Sequence, residues 1–180
     1  MLKIALCDFN HTTIGVHTET FPLAIGLIGS YAKDKNPGVL DIRLFKFTDD
    51  FLHETSNWVP DVMGLSLYSW NTKLNLHVAQ YAKSINSDLT VIVGGPNIPI
   101  GENEIINFFN QFSVVDIIVN KDGEIPFNTI IEKIIQGWER KDVIYGKLPG
   151  TVVYDRKNKK VLYGPVGEKI KNLDEIPSPY

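Results

Sequence analysis

The sequence predicts an α/β fold built on a doubly wound parallel sheet. Short apolar, β-branched runs alternate with stretches of about ten to fifteen residues at helical spacing, the pattern of βαβ units. Most of those runs are apolar almost throughout, as interior parallel strands buried on both faces should be. Strands are expected at residues 2–7, 40–47, 61–67, 90–93 and 114–119. The second alternates Leu40, Ile42 and Leu44 against Asp41 and Arg43, which puts one face in water and makes it an edge strand. Right-handed crossovers with that strand at an edge give a five-stranded, flavodoxin-like (Rossmann-like) sheet in the order 2-1-3-4-5.

The helices follow from the same periodicity. Residues 22–33 open on Pro22 and carry Leu23, Leu27 and Ile28, with Gly26, Gly29 and Ser30 allowing close approach to the sheet. Residues 72–86 place Leu74, Val78, Tyr81, Ala82 and Ile85 on one stripe. Residues 102–110 start at a cap around Gly101, and residues 125–138 carry Phe127, Ile130, Ile131, Ile134 and Ile135 as core. Beyond Gly146 the style changes. Residues 150–154 and 160–163 read as a β-hairpin, and residues 164–180, with Pro165, Pro177 and Pro179, as an extended tail. This divides the chain into an α/β domain (1–146), a hairpin (147–166) and a linker (167–180).

Composition narrows the function. The 180 residues are 43% hydrophobic and 22% charged, enough for one core. A net charge of -3 offers no field for phosphate backbones, and the lysines between Lys157 and Lys160 read as a solvated turn, so nucleic acid is not an expected partner. The apolar stretch at residues 21–32 is broken by Pro22, glycines and Ser30 and is too short for a bilayer. The single cysteine, Cys7, closes no internal disulfide, and no membrane or secretory segment is evident, which makes the cytoplasm the expected location.

In a doubly wound sheet, ligands bind outside the carboxyl ends of the strands. Here the loops at that end are residues 8–19, 68–71, 94–101 and 120–124. The first lacks a Gly-x-Gly-x-x-Gly fingerprint, no phosphate-cradling Gly-x-x-x-x-Gly-Lys-Ser/Thr occurs, and the paired acids of a phosphorylated receiver are missing. The most informative stretch is Val91-Ile-Val-Gly-Gly-Pro-Asn97, a buried strand that ends on side-chain-free backbone.

Four segments carry a family resemblance: Gly64-Leu-Ser-Leu-Tyr-Ser-Trp-Asn71, Val93-Gly-Gly-Pro-Asn97, Asn120-Lys-Asp-Gly-Glu-Ile-Pro-Phe127 and Leu173-Asp-Glu-Ile-Pro-Ser-Pro-Tyr180. In register across nearly the whole chain, they resemble the N-terminal cobalamin (B12)-binding domain of B12-dependent radical SAM proteins. The resemblance implies that Ser66, Gly94 and Gly95 line a slot for the cobalamin nucleotide tail, and that Gly123 and Glu124 begin the last helix. Physically, a flat base with one ring-nitrogen acceptor needs a slot with side-chain-free walls and one donor. Ser66 Oγ is that donor, relieving a buried acceptor that would otherwise cost about 1–3 kcal/mol. The plainer reading makes the glycines a tight turn and bonds Ser66 to backbone. Asn10, Tyr68, Trp70, Asn71, Pro96 and Asn97 are expected around the corrin, although Trp70 serves equally well as core. On this reading Gly95→Leu abolishes binding and leaves the fold largely intact.

The first loop departs from the best-known cobalamin motif, Asp-x-His-x-x-Gly, whose histidine is the lower cobalt ligand. Asn10 stands at the histidine position of Asp8-Phe-Asn-His-Thr-Thr-Ile-Gly15. The resemblance therefore implies cobalamin held base-off without an axial histidine, with His11, and after it His17, as alternatives that otherwise read as exposed loop residues. His53 and His77 are expected on helix surfaces. One cysteine cannot hold a [4Fe-4S] cluster. The tail nevertheless resembles the linker ahead of a radical SAM barrel, so the cluster and S-adenosylmethionine are expected in a downstream C-terminal radical SAM domain of a longer chain, with methyl transfer or related radical chemistry. Two other classes stay open: a nucleotide-sugar type transferase using Asp8, His11 and Glu124, and a docking module with no cofactor.

Overall fold

A computed structural model describes residues 1–11 and 21–179. Five parallel strands run in the order β2-β1-β3-β4-β5: β1 (Leu2–Cys7), β2 (Leu40–Phe45), β3 (Val62–Ser66), β4 (Thr90–Gly94) and β5 (Ile117–Val119). The order 2-1-3-4-5 is the one the apolar runs predict. The hairpin strands β6 (Thr151–Asp155) and β7 (Lys160–Tyr163) continue this sheet rather than leaving it, because β6 pairs antiparallel with β5 through Ile118 and Val119. The sheet therefore has seven strands.

Strand parity sorts the core into two layers. On one face Ile4, Leu6, Val62, Ile92, Ile117 and Val119 meet α1 (Leu23–Lys35), α5 (Glu124–Ile135) and α6 (Arg140–Tyr145). On the other, Ala5, Cys7, Met63, Leu65, Val91 and Val93 meet α2 (Thr48–Glu54), α3 (Thr72–Ile85) and α4 (Glu102–Gln111). A β-carbon on Gly29 would lie 3.1 Å from Leu6, so α1 does pack close to the sheet. At the head of α4 the Gly101 N–H donates to Glu104 Oε2 (3.1 Å), closing the expected cap.

The structure corrects the sequence expectations at several places. The short helix α6 has no counterpart in the sequence expectations, and α2 is present there only as the helix expected to carry His53. β2 is an edge strand, but its polar face is only partly in water. Trp58, 4% exposed, covers that face, donating from Nε1 to Asp41 (2.6 Å) and lying under the Arg43 guanidinium, which also pairs with Glu54. It is Leu44 that is exposed. In α3 the buried stripe runs through Asn75, Leu76, Val78, Ala79 and Ala82, leaving Tyr81 and Ile85 outside. Ile135 of α5 is likewise exposed. The tail is docked: Ser30 Oγ donates to the Pro177 carbonyl (2.8 Å), and Lys169 pairs with Asp122. Among the described residues no helix is long and apolar enough to cross a membrane.

Candidate functional site

A crevice of about 490 Å³ opens at the carboxyl ends of the strands, on the α1/α5 face of the sheet. That volume lies within the roughly 300–1,000 Å³ of small-molecule sites. Its position is dictated by topology, since chain order reverses between β1 and β3 and the loops diverge there. Leu6, Ile92, Val119 and Phe127 form the apolar interior, and Ile25 and Ile28 of α1 form one wall.

Ser66 and Gly94 are register partners at the last rung of the β3–β4 ladder, so both present their Cα substituents to this face. Gly94 presents only hydrogen, and a β-carbon there would meet nothing closer than the Val119 carbonyl at 3.6 Å. Ser66 is 7% exposed and lines the crevice, and its hydroxyl has no hydrogen-bond partner among the described residues. An apolar interior with an unpartnered hydroxyl at its sheet end is chemically suited to a flat heteroaromatic ring carrying a single acceptor.

The ends of β1 and β3 are tied together beside this crevice. Asn71, fully buried, donates to Asp8 Oδ1 (2.9 Å) and to the Ser66 carbonyl (3.3 Å) and accepts from the Tyr68 N–H (2.8 Å). Burial pushes the Asp8 carboxyl above its usual range, against the opposing effects of the Asn71 hydrogen bond and the Lys46 charge. Burial, with Asp8 adding, also raises the Cys7 thiol.

No protein-family model matches the chain. It is 28% identical over 172 residues to the cobalamin-dependent radical SAM methyltransferase TokK of Streptomyces tokunonensis, a match taking in 93% of this chain and 24% of TokK. It is 31% identical over 174 residues to the 2-(S-pantetheinyl)-carbapenam-3-carboxylate methyltransferase of Streptantibioticus cattleyicolor, again 93% of this chain and 24% of the relative. The chain is homologous to part of these radical SAM methyltransferases. It spans about a quarter of their length. The solved structure of the cobalamin-dependent S-adenosylmethionine radical enzyme OxsB, with aqua-cobalamin and S-adenosylmethionine bound, shares the fold. It aligns with a TM-score of 0.71 at 18% identity, covering 98% of this chain and 24% of that one.

The expected site residues separate into two groups. Ser66, Tyr68, Gly94, Gly95, Pro96, Gly123 and Glu124 all line the crevice. Asn10, His11, Trp70, Asn71 and Asn97 do not. Asn71 has no exposed surface and its amide is taken up within the protein, so it is no ligand contact. Asn10 is 6% exposed beside β2, where its N–H donates to the Lys46 carbonyl. Asn97 is exposed and donates to Thr72 Oγ1 (2.8 Å), joining the β3 and β4 loops. Trp70 is a rim residue, 46% exposed and stacked on Tyr68 with ring centroids 4.6 Å apart, so it is not core. His11 lies at the surface with Nε2 3.2 Å from the Trp70 carbonyl. His17 falls outside the described residues. His53 and His77 are exposed on α2 and α3, as expected. Among the described residues no three His, Cys, Asp or Glu side chains form a metal-ligand set.

Gly95 differs from Gly94. Its φ is +100°, and a β-carbon there would lie 2.7 Å from the Leu67 carbonyl oxygen. Its glycine is required by the turn as well as lining the crevice. Sequence reading missed the apolar interior and Gly64. Strand parity was the available signal: counting back by two from Ser66 and Gly94 reaches Gly64 and Ile92, both in the lining.

Proposed function

We propose that this chain is a cobalamin-binding module, with the crevice receiving the benzimidazole of the nucleotide tail and Ser66 Oγ donating to its free ring nitrogen. The observation that carries the reading is the pairing, at one rung of the sheet, of an unpartnered hydroxyl that opens into the crevice with a side-chain-free neighbour. The homology to cobalamin-dependent methyltransferases supports it. Cobalamin would be held base-off, with Tyr68 at the rim available to the macrocycle and no axial histidine, a reading supported by the place of His11 outside the crevice, against the Trp70 carbonyl. Bound cobalamin supplies a cobalt that carries a methyl group, while the chain binds and orients it. Residues 167–180 are the link to a radical SAM domain that holds the [4Fe-4S] cluster and S-adenosylmethionine in a cytoplasmic enzyme, and that larger protein performs the chemistry.

Titration of the purified chain with hydroxocobalamin tests this. The expected result is a shifted visible spectrum, co-elution on gel filtration, and a spectrum that His11→Ala leaves unchanged. Ser66→Ala should weaken binding about five- to tenfold, the loss of one net hydrogen bond of about 1–1.4 kcal/mol. Elution of all cobalamin as free cofactor would overturn the reading.

A further inference from the structure

The β1–β3 ladder stops at Cys7↔Leu65, one rung before the β3–β4 ladder stops at Ser66↔Gly94. At the crevice, therefore, the Ser66 carbonyl faces a gap where β1 has ended. Asn75 fills it. Its Nδ2 donates to the Ser66 carbonyl (2.9 Å) and its Oδ1 accepts from the Phe9 N–H (3.2 Å), so one side-chain amide replaces the missing rung of backbone. Asn71, one helical turn earlier, supplies a second donor to the same carbonyl and holds the Tyr68 N–H.

Neither side-chain amide bonds to the helix it belongs to. Asn71 occupies the N-cap of α3, yet makes no side-chain cap bond to the helix, and its oxygen is turned back to Tyr68. Asn75 is fully buried in the helix, where alanine or leucine would favour both the helix and the core. Both amides serve the loop between β3 and α3 and not the helix.

We propose that Asn71 and Asn75, anchored on Asp8, are positioning residues: a two-amide bracket that fixes the Ser66 peptide and the Tyr68–Trp70 pair at the crevice before the ligand arrives. The inference rests on the cobalamin reading for its affinity arm only. The bracket demands an amide at residue 71, because the same group must donate to Asp8 and accept from Tyr68. A carboxylate there would set two acids against each other, raising the proton affinity of the pair, and would lose the donor to the Ser66 carbonyl. Exchanging the two residues restores one donor against one acceptor between positions 8 and 71, but not the second donor to the Ser66 carbonyl, which is left to Asn75.

The test compares Asn75→Ala, Asn71→Asp and the exchange Asp8→Asn/Asn71→Asp with Val153→Ala, a core variant in β6. Each is examined for hydroxocobalamin affinity, melting temperature and the near-ultraviolet circular dichroism of the ligand-free chain. Asn75→Ala and Asn71→Asp should weaken binding about tenfold or more, well below their melting temperatures, and the exchange should recover part of the loss that Asn71→Asp causes. Val153→Ala should lower the melting temperature with affinity unchanged. Asn71→Asp should also lose the Tyr68–Trp70 dichroic band, and the exchange should regain it. If Asn71→Asp does not fold, Asn75→Ala carries the affinity comparison and recovery of folding by the exchange replaces the dichroic one. Unchanged affinity in Asn75→Ala, or equal weakening by Val153→Ala, overturns the bracket. If the parent chain binds no cobalamin, the functional reading falls instead, and an unaltered dichroic band in Asn71→Asp would then overturn the bracket by itself.

Discussion

A β-carbon at Gly94 would make an ordinary contact with the Val119 carbonyl, whereas one at Gly95 would collide with the backbone of Leu67. Two adjacent glycines thus answer to different demands, one set by the crevice and the other by the chain's own path. Gly94→Ala should leave the melting temperature nearly unchanged, and Gly94→Leu should fill the crevice and abolish cobalamin binding while the chain stays folded. Gly95→Ala should cost about 1–3 kcal/mol through its positive φ, read as a lower denaturation midpoint. The expectation that Gly95→Leu would spare the fold therefore fails, and the clean probe of the crevice is one residue earlier. The need for side-chain-free backbone at a strand end was legible in the sequence. Which glycine served the ligand side was not, because φ at a turn depends on the facing strand loop, here Leu67, 28 residues away.

At the scale of elements, β2 and α2 form a unit that periodicity could not reveal. α2 has seven residues and buries only Phe51, too little for a helical repeat to register. Phe51 packs edge-on against both Phe9 and Phe45, and Trp58 then closes over Asp41 and Arg43. Alternation along β2 reads as one wet face because the side chains of Asp41 and Arg43 are charged, yet an indole satisfies the first by a hydrogen bond and the second through its ring. Trp58→Ala should destabilise the chain by about 3–5 kcal/mol, measurable by urea unfolding, and should also expose the β2 edge. The long elements were legible because each buries a full stripe, as α5 does with Phe127, Ile130 and Ile131.

Across the whole molecule, the end of the sheet opposite the crevice is closed by charge. Asp116, just ahead of β5, accepts from Lys83 of α3 (2.9 and 3.0 Å), Arg140 of α6 (2.7 Å) and the Val91 N–H (2.8 Å). It thereby joins helices from both layers. Desolvation draws the Lys83 ammonium below its usual range despite the attraction of Asp116, so removing the carboxylate leaves a poorly hydrated cation behind. Asp116→Asn should destabilise by about 2 kcal/mol, with hydroxocobalamin affinity unaffected at temperatures where the chain is folded. On the far edge, Arg156 in the hairpin turn donates to the Phe109 carbonyl (2.9 Å) and pins β6 and β7 to α4. The hairpin itself was legible from its turn, but its docking was not, since an antiparallel addition to a parallel sheet leaves no trace in local spacing.

The in-register pairing of Ser66 with Gly94 makes the crevice a matter of odd and even. Deleting a single residue early in β3 would keep a plausible strand composition yet turn Ser66 toward the α3 layer and bring Leu65 or Leu67 to face the cavity. Natural length variation should therefore be tolerated in the loops and rejected in β3 and β4, where a shift of one position exchanges the inside of the pocket for the inside of the core.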